Sequence, residues 1–338
     1  MAPLRMDVRT LLTPSKNPFF EHAELQAFLA RRDGRTVGRI AAIKNDAHTR
    51  THGDRVGFYG FFEAVDEQPV ADALFEAAAR WVRERGFRVL RGPMSPSIND
   101  ECGLLVDGFD TPPTVMMPHN PAYYVPLHER HGFAKAKDLL ALESPGIEIP
   151  ARIARVAQAL AQRRGITLRP LNMKRFREEV ELVKALYNEA WEKNWGFVPL
   201  TEAEIEHLAK QLKPVVEPDL ICFAERAGRV IGFAVALPDL NVALKHNPSG
   251  RLWGLPKILW YARKVRRCRI LLLGLLKEYR VSGVDALMYH WIWTKGVEHG
   301  YGWGEASWIL EDNTAMLNGA VALGFRPYKT YRIYDKSL

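Results

Sequence analysis

Residues 276–286 read LKEYRVSGVDA and follow an apolar run, RILLLGLL, at 269–276. Helix-forming residues come directly after. A helix N-terminus leaves about four backbone N–H groups without internal partners, and the aligned peptide dipoles put roughly half a positive charge there. A glycine in the turn lets a phosphate approach those groups. Arg280, Val281, Ser282, Gly283 and Val284 are therefore candidates for holding an anion. The plainer reading is an ordinary strand-turn-helix junction.

Downstream, GEASWILEDN (304–313) carries Glu305 and Glu311. On one continuous strand residues six apart share a face. Either carboxylate suits a general base acting directly or through water; a surface carboxylate or cap partner is the alternative. Asp239 and Asn241 close a β-rich segment and suit either substrate contact or turn chemistry. Tyr328, Tyr331 and Tyr334 are phenols on the last strand, with Tyr331 on the opposite face from the other two; Tyr331 is the candidate acid. His119, His290 and His299 lack metal-ligand spacing. The three cysteines, Cys102, Cys222 and Cys268, form no CxxC pair. Neither a metal site nor a disulfide framework is expected, and Ser282 and Ser307 lack the context of a nucleophilic triad.

These residues need elements to position them. In the second half, 174–191 has helical spacing through Phe176, Val180, Val183, Tyr187 and Trp191. Thr201 and Glu204 form a capping box that opens another helix. Residues 221–239 read as a hairpin around Ala227-Gly228. A strand enters the 280–284 turn, a helix spans roughly 283–299, and 304–313 is a strand. Asn313 caps a helix that Gly324 stops, and YKTYRIYDK is a last strand. The first half has the same order: a hairpin at 27–43 around Asp33-Gly34, a strand at 55–65, a helix at 68–86, a strand at 87–94, a helix at 120–133 and a strand at 138–144. A chain of 338 residues suits two domains. The expected division is 1–145, a linker and basic helix at 146–166, and 167–338, each domain an α/β mixed sheet.

The net charge is +8, and the seven bases of 251–269 (RLWGLPKILWYARKVRRCR) account for all but one unit of it. That segment has no acid, and Trp253 and Trp260 are interleaved with Lys257, Arg263, Lys264, Arg266 and Arg267. Basic residues mixed with Trp and Leu suit an anionic membrane surface; a solvated helix with one docked side is the alternative. A nucleic-acid binder spreads its charge more widely, so nucleic acid is not expected. MAPLRMDVRT lacks a signal peptide's apolar segment, and no run approaches the roughly 18 to 20 apolar residues of a membrane span. The expected location is cytoplasmic, peripheral on the inner membrane face.

The second half resembles a GCN5-related N-acetyltransferase (GNAT) domain. That family's acyl-CoA signature, Q/R-x-x-G-x-G/A, is matched by Arg280-x-x-Gly283-x-Asp285, and its later Asn, with Gly-Phe eleven residues on, is matched by Asn313 and Gly324-Phe325. The resemblance covers roughly 167–336. It implies that backbone groups of Leu275, Leu276 and Lys277 meet the pantetheine arm where two strands splay. It also implies that the amides from Val281 to Val284 take the pyrophosphate, and that Asn313 contacts the coenzyme or caps its helix. Asp285 departs from the signature, and Ala320 stands where the family often has a general-acid Tyr.

The first half resembles a degenerate copy. Its equivalent turn, Asp66 to Ala71, has two carboxylates, Pro69 and no Gly, so no coenzyme is expected there. The turn-rich stretch 92–124, with Asn99 and Glu101, is a candidate substrate site or a structural insertion. The whole chain resembles the bacterial ceramide synthase-like group, which implies a long-chain acyl-CoA donor and a sphingoid-type amine acceptor. Two other functions remain open from the sequence: a short-chain N-acetyltransferase for a small amine or protein N-terminus, and a non-catalytic membrane-surface protein.

Overall fold

The computed structural model describes residues 3–338 apart from 145, 147–150, 193 and 281, with backbone only at 152, 153, 157 and 160. The chain forms two compact units that are not successive halves of the sequence. The first comprises Phe19–Leu140, Trp195–Pro199 and Tyr328–Leu338. The second comprises Met1–Pro18, Ala141–Asn194 and Leu200–Pro327.

In the first unit, strands Ala23–Arg32 and Arg35–Asn45 form an antiparallel hairpin. Its turn residues Asp33 and Gly34 both have positive φ, the conformation that matches the twist of a hairpin. Strand Val56–Ala64 pairs antiparallel with Arg35–Asn45. It then runs parallel to Val89–Gly92 for three residue pairs, Val56↔Val89 to Phe58↔Arg91. Helix Gln68–Arg83 makes the crossover and buries Ala71, Leu74, Phe75, Ala78 and Val82, the spacing of one helical face. Phe75 stacks on Phe62 at 4.7 Å and meets Tyr59 edge-on at 5.8 Å. Each such ring contributes roughly 1.5–3 kcal/mol of burial. Residues Tyr334–Ser337 pair with Val89–Gly92 from the other side, and Leu104–Asp107 pairs with the same last strand.

The helix expected at 120–133 is shorter, Tyr124–Arg130. The side chain of the buried Asn120 explains the difference: it accepts from the Leu105 N–H (2.8 Å) and donates to the Leu105 carbonyl (3.2 Å). This holds the start of the segment against strand Leu104–Asp107, and Pro121 follows directly.

The second unit has the same grammar. Strands Ile166–Pro170, Ile221–Arg226, Arg229–Pro238 and Arg267–Leu275 pair antiparallel in that order. Arg267–Leu275 then runs parallel to Trp303–Leu310. Helix Val284–Glu298 makes this crossover. The Thr201 capping box is complete: Thr201 Oγ1 accepts from the Glu204 N–H, and Glu204 accepts from the Thr201 N–H at 2.8 Å. The hairpin turns at Ala227 and Gly228, both with positive φ.

Candidate acyl-transfer site

The parallel pair of the second unit is a V. Its ladder covers four residue pairs, from Arg267↔Trp303 to Ile270↔Ala306, and stops. Leu275 on one arm and Glu311 on the other each stand five residues beyond the last pair. The Leu276 N–H donates to the Ile231 carbonyl at 3.0 Å, on the antiparallel side. Successive residues of a strand direct their peptide groups to opposite sides, so those of Leu275 face into the V. Leu276, expected to meet a ligand, has its N–H committed instead.

The turn follows at the tip of that arm. Gly283 caps helix Val284–Glu298 with φ 83° and ψ 5°, a left-handed conformation that costs any Cβ-bearing residue about 1–2 kcal/mol. No side chain caps this helix, so the first-turn amides starting at Val284 have no side-chain competitor for an anion. Ser282 is turned inward: its N–H and hydroxyl both donate to the Tyr279 carbonyl. The Arg280 guanidinium donates to the carbonyls of Ala190 (2.8 Å) and Glu189 (3.4 Å) at the end of helix Phe176–Trp191. Lys277 is exposed. Val281 lies outside the described residues. Trp191 of the same helix closes on the arm at Gly274, where an added Cβ would lie 2.6 Å from its ring. Asp285 sits in the first turn of the helix, where a carboxylate offsets the dipole.

At the vertex of the V, sequence reasoning missed a buried network. Arg269 and Glu305 face each other in the ladder and are 1% and 0% exposed in their side chains, with Nε to Oε1 at 3.7 Å. Ser307 links them: Arg269 Nε donates to its hydroxyl (2.8 Å), which donates to Glu305 Oε1, and Arg269 Nη2 donates to the Ser307 carbonyl (3.1 Å). Arg269 had been counted only as one charge of a basic segment. The available signal was its position inside an apolar strand.

Glu311 does not share a strand face with Glu305, because strand Trp303–Leu310 ends one residue earlier and Glu311 lies in the turn, half-buried. Asn313 caps helix Thr314–Ala322, accepting from the Met316 N–H at 3.3 Å, and Ala320 is buried in that helix. Asp239 and Asn241 are not brought to the open end. The Asp239 N–H donates to the Arg267 carbonyl (2.8 Å), and its carboxylate accepts from the Asn241 N–H (3.3 Å). Arg267 begins the strand whose last residue is Leu275, roughly 26 Å away at the usual rise. Turn chemistry and the Arg267 contact, Nε to Oδ2 at 3.6 Å, engage this carboxylate. Arg267 itself is no part of an outer patch: it lies over the Trp303 ring at 3.8 Å.

Tyr331, Asn99 and Glu101 belong to the first unit. Tyr331 is fully buried opposite Leu105. Asn99 donates to the Val198 carbonyl at 3.2 Å. Glu101 is exposed in a two-residue strand.

Part of the aromatic and basic segment is exposed. Helix Leu255–Ala262 docks through Ile258, while Trp253 is 86% exposed, Leu259 67% and Trp260 52%. Lys257, Arg263, Lys264 and Arg266 are exposed with them, and Lys264 covers the Trp260 ring at 3.7 Å. Helix Arg5–Leu11 joins this surface: the Arg5 N–H donates to the Gly250 carbonyl at 2.9 Å, and Met6 is 52% exposed. No helix of the described residues is long and apolar enough to cross a membrane, and they contain no group of three His, Cys, Asp or Glu able to hold a metal.

An antiparallel sheet that ends in a parallel pair splaying before a crossover helix is the GNAT fold, and here that strand and helix order occurs in both units, with the glycine cap in the second. Among solved structures, a tandem GNAT protein from the clavulanic acid pathway superposes with TM-score 0.55 at 13% identity, covering 94% of this chain and 83% of that one. A GCN5-related N-acetyltransferase from Sphaerobacter thermophilus gives TM-score 0.52 at 12% identity over 92% and 80%. No family model matches. The chain is 41% identical to the bacterial ceramide synthase of Caulobacter vibrioides over 350 aligned positions, 100% of this chain and 90% of that protein. It is 36% identical to protein YghO of Escherichia coli, over 96% and 85%. The chain belongs to the bacterial ceramide synthase family of tandem GNAT proteins and is an acyl-CoA-dependent N-acyltransferase.

Proposed function

We propose that this enzyme transfers a long-chain acyl group from acyl-CoA to a lipid amine of the sphingoid type, working at the face of an anionic membrane. One observation carries the lipid reading: the surface of Trp253, Leu259, Trp260 and four exposed bases stands on the same unit as the glycine-capped V. Exposed Trp and Leu among Lys and Arg are what an interfacial segment uses. The full-length relative named a ceramide synthase agrees with it.

In this reading the pyrophosphate takes the uncapped amides from Val284 on, at the N-terminus of the helix. The pantetheine arm runs along the V. The Leu275 N–H faces the developing oxyanion. The amine nitrogen attacks the thioester carbonyl, its proton passes to Glu311 directly or through water, and the CoA thiolate leaves to be protonated by solvent. Glu305 is not the base. Its carboxylate is buried in the Arg269–Ser307 network, so it positions the vertex. Most of the acceleration comes from holding the two substrates together.

Titration calorimetry with CoA, acetyl-CoA and palmitoyl-CoA, the last below its micelle concentration, tests the reading. The expected result is that all three bind and palmitoyl-CoA binds at least about tenfold more tightly, equivalent to roughly 1.4 kcal/mol. A second reading, short-chain acetyl transfer, is favoured by one observation: the apolar cavity between Cys268, Ile270, Tyr289 and Trp293 has a volume of about 20 Å³, room for about one water. Equal affinity for acetyl- and palmitoyl-CoA would select it.

A further inference from the structure

Helix Leu255–Ala262 has the build of a helix that lies in an interface. At about 100° per residue, Trp260 falls in the middle of its exposed arc. Lys257 is on one flank, Leu259 and Arg263 are on the other, and the buried Ile258 lies opposite.

Helix Arg5–Leu11 repeats this pattern in a distant part of the sequence. Leu4, Val8, Leu11 and Leu12 are half-buried along one side, the i, i+4, i+7, i+8 spacing of a docked face. Met6 stands on the outer side with Arg5 and Arg9 on its flank, and all three are exposed. Asp7, the one acid of this helix, is turned away from Arg5 and Arg9, and burial raises its pKa. An apolar side chain flanked by arginines on an amphipathic helix suits the headgroup region of an anionic bilayer.

The two helices are tied together within the second unit. The Arg5 N–H and Nε donate to the carbonyls of Gly250 (2.9 Å) and Ser249 (3.1 Å). The Ser249 hydroxyl donates to Asn247 Oδ1 (3.0 Å), and Asn247 Nδ2 donates to the Arg251 carbonyl (2.9 Å). Gly250 has φ 60°, and an added Cβ would collide with the Pro3 carbonyl. At the far end of helix Arg5–Leu11, the buried Asn17 donates to the Leu11 carbonyl at 2.8 Å. The chain thus builds a seat for this helix beside the 251–266 segment.

A single short helix in an interface leaves a protein free to roll about the helix axis. A second contact, tied to the first, removes that freedom and strengthens binding through effective concentration. We propose that helix Arg5–Leu11 is this second contact with an anionic phospholipid surface, Met6 entering among the headgroups and Arg5 and Arg9 meeting their phosphates. This deepens the proposed function and rests on its reading of the 251–266 surface.

The test uses the full chain and vesicles of phosphatidylcholine, alone or with an equal part of phosphatidylglycerol. The three native cysteines are buried, so a thiol-reactive, polarity-sensitive dye is placed at position 6 through Met6→Cys. Its emission is expected to shift to the blue on the anionic vesicles and to stay unchanged on phosphatidylcholine. Sedimentation with the anionic vesicles is expected to be at least about tenfold weaker for the double variant Met6→Asp, Arg9→Glu, with unchanged circular dichroism. The double variant Trp253→Ala, Trp260→Ala is expected to weaken it as well. No dye shift on vesicles that the labelled protein binds overturns the proposal, as does unaltered affinity in the folded Met6→Asp, Arg9→Glu variant. If the tryptophan variant alone binds weakly, the helix is no contact and the 251–266 surface stands. If the unaltered chain binds neither vesicle, that surface falls and the helix contact with it.

Discussion

Two strand-to-helix turns occupy equivalent places in the two units, and they differ in the residue at the helix N-cap. At the second unit's turn Gly283 has φ 83° and no side chain caps the helix. At the first unit's turn Glu67 holds the N-cap position, extended at φ −142°, and it too makes no side-chain cap bond; its carboxylate is held ionised by the Arg32 guanidinium. Topology is shared down to the parallel pair and its early end, at four residue pairs and three. A repeated fold therefore supplies the strand-to-helix turn twice, with a bare glycine at the N-cap of one and an Arg-paired carboxylate at the N-cap of the other.

The largest expected effect tests the buried vertex of the second unit. Arg269→Ala leaves Glu305 buried without its cation, a loss of about 3–5 kcal/mol, read as a lower urea midpoint with unchanged slope. Unaltered stability would mean that the vertex network holds nothing.

Next comes the turn itself. Gly283→Glu puts bulk and charge at the phosphate position, with an expected loss of acyl-CoA affinity of at least about 100-fold, roughly 2.7 kcal/mol, in a protein whose circular dichroism is unchanged. Normal affinity in the folded variant would erase the difference between the two turns.

The units should also part company in acid. In the first unit, burial lowers His128 and His48 to about 4. Unfolding frees both to titrate near 6.5, so the unfolded state binds more protons between those values. Stability is then present above pH 6.5 and is lost as pH falls toward 4, about 2 kcal/mol for each histidine between pH 7 and 5. Hydrogen exchange at pH 5 is expected to quicken around strand Val56–Ala64 and helix Tyr124–Arg130 before it does in strand Arg267–Leu275. The reverse order would assign the weaker unit wrongly.

Smaller effects follow. Lys264→Ala removes a base of the exposed aromatic surface, and vesicles containing anionic lipid are expected to bind about fivefold more weakly, near 1 kcal/mol per charge; neutral vesicles should show no such change. Arg32→Ala breaks an exposed pair and should leave the melting temperature where it is, while acyl-CoA affinity, which belongs to the other turn, should not move.

The particular elements show why some features were legible in advance. The Thr201 capping box, the Asn313 cap, the Asp33-Gly34 and Ala227-Gly228 turns and the strand-to-helix turn at Gly283 all depend on residues within four of one another. Short-range hydrogen bonding and sterics settle such features wherever the chain goes. The helix expected at 120–133 failed for a longer-range reason: Asn120 bonds to Leu105, fifteen residues away. Glu311 fell beyond its strand because that strand stops at Leu310. Asp239 looked like a site residue by composition, yet the antiparallel register puts it at the closed end of the V.

The sequence by itself determined the mixed α/β class, the doubled order of elements, the glycine turn into a helix at Gly283 and the concentration of charge at 251–269. Tertiary structure alone divided that charge, sending Arg269 to a buried carboxylate and Arg267 over Trp303 while Lys257, Arg263, Lys264 and Arg266 stay outside. It also grouped Tyr328–Leu338 with Phe19–Leu140. The physical reason is range. Caps and turns are written in neighbouring residues, whereas burial and strand partnership depend on which distant segment arrives alongside, and a charge count along the chain carries no record of that.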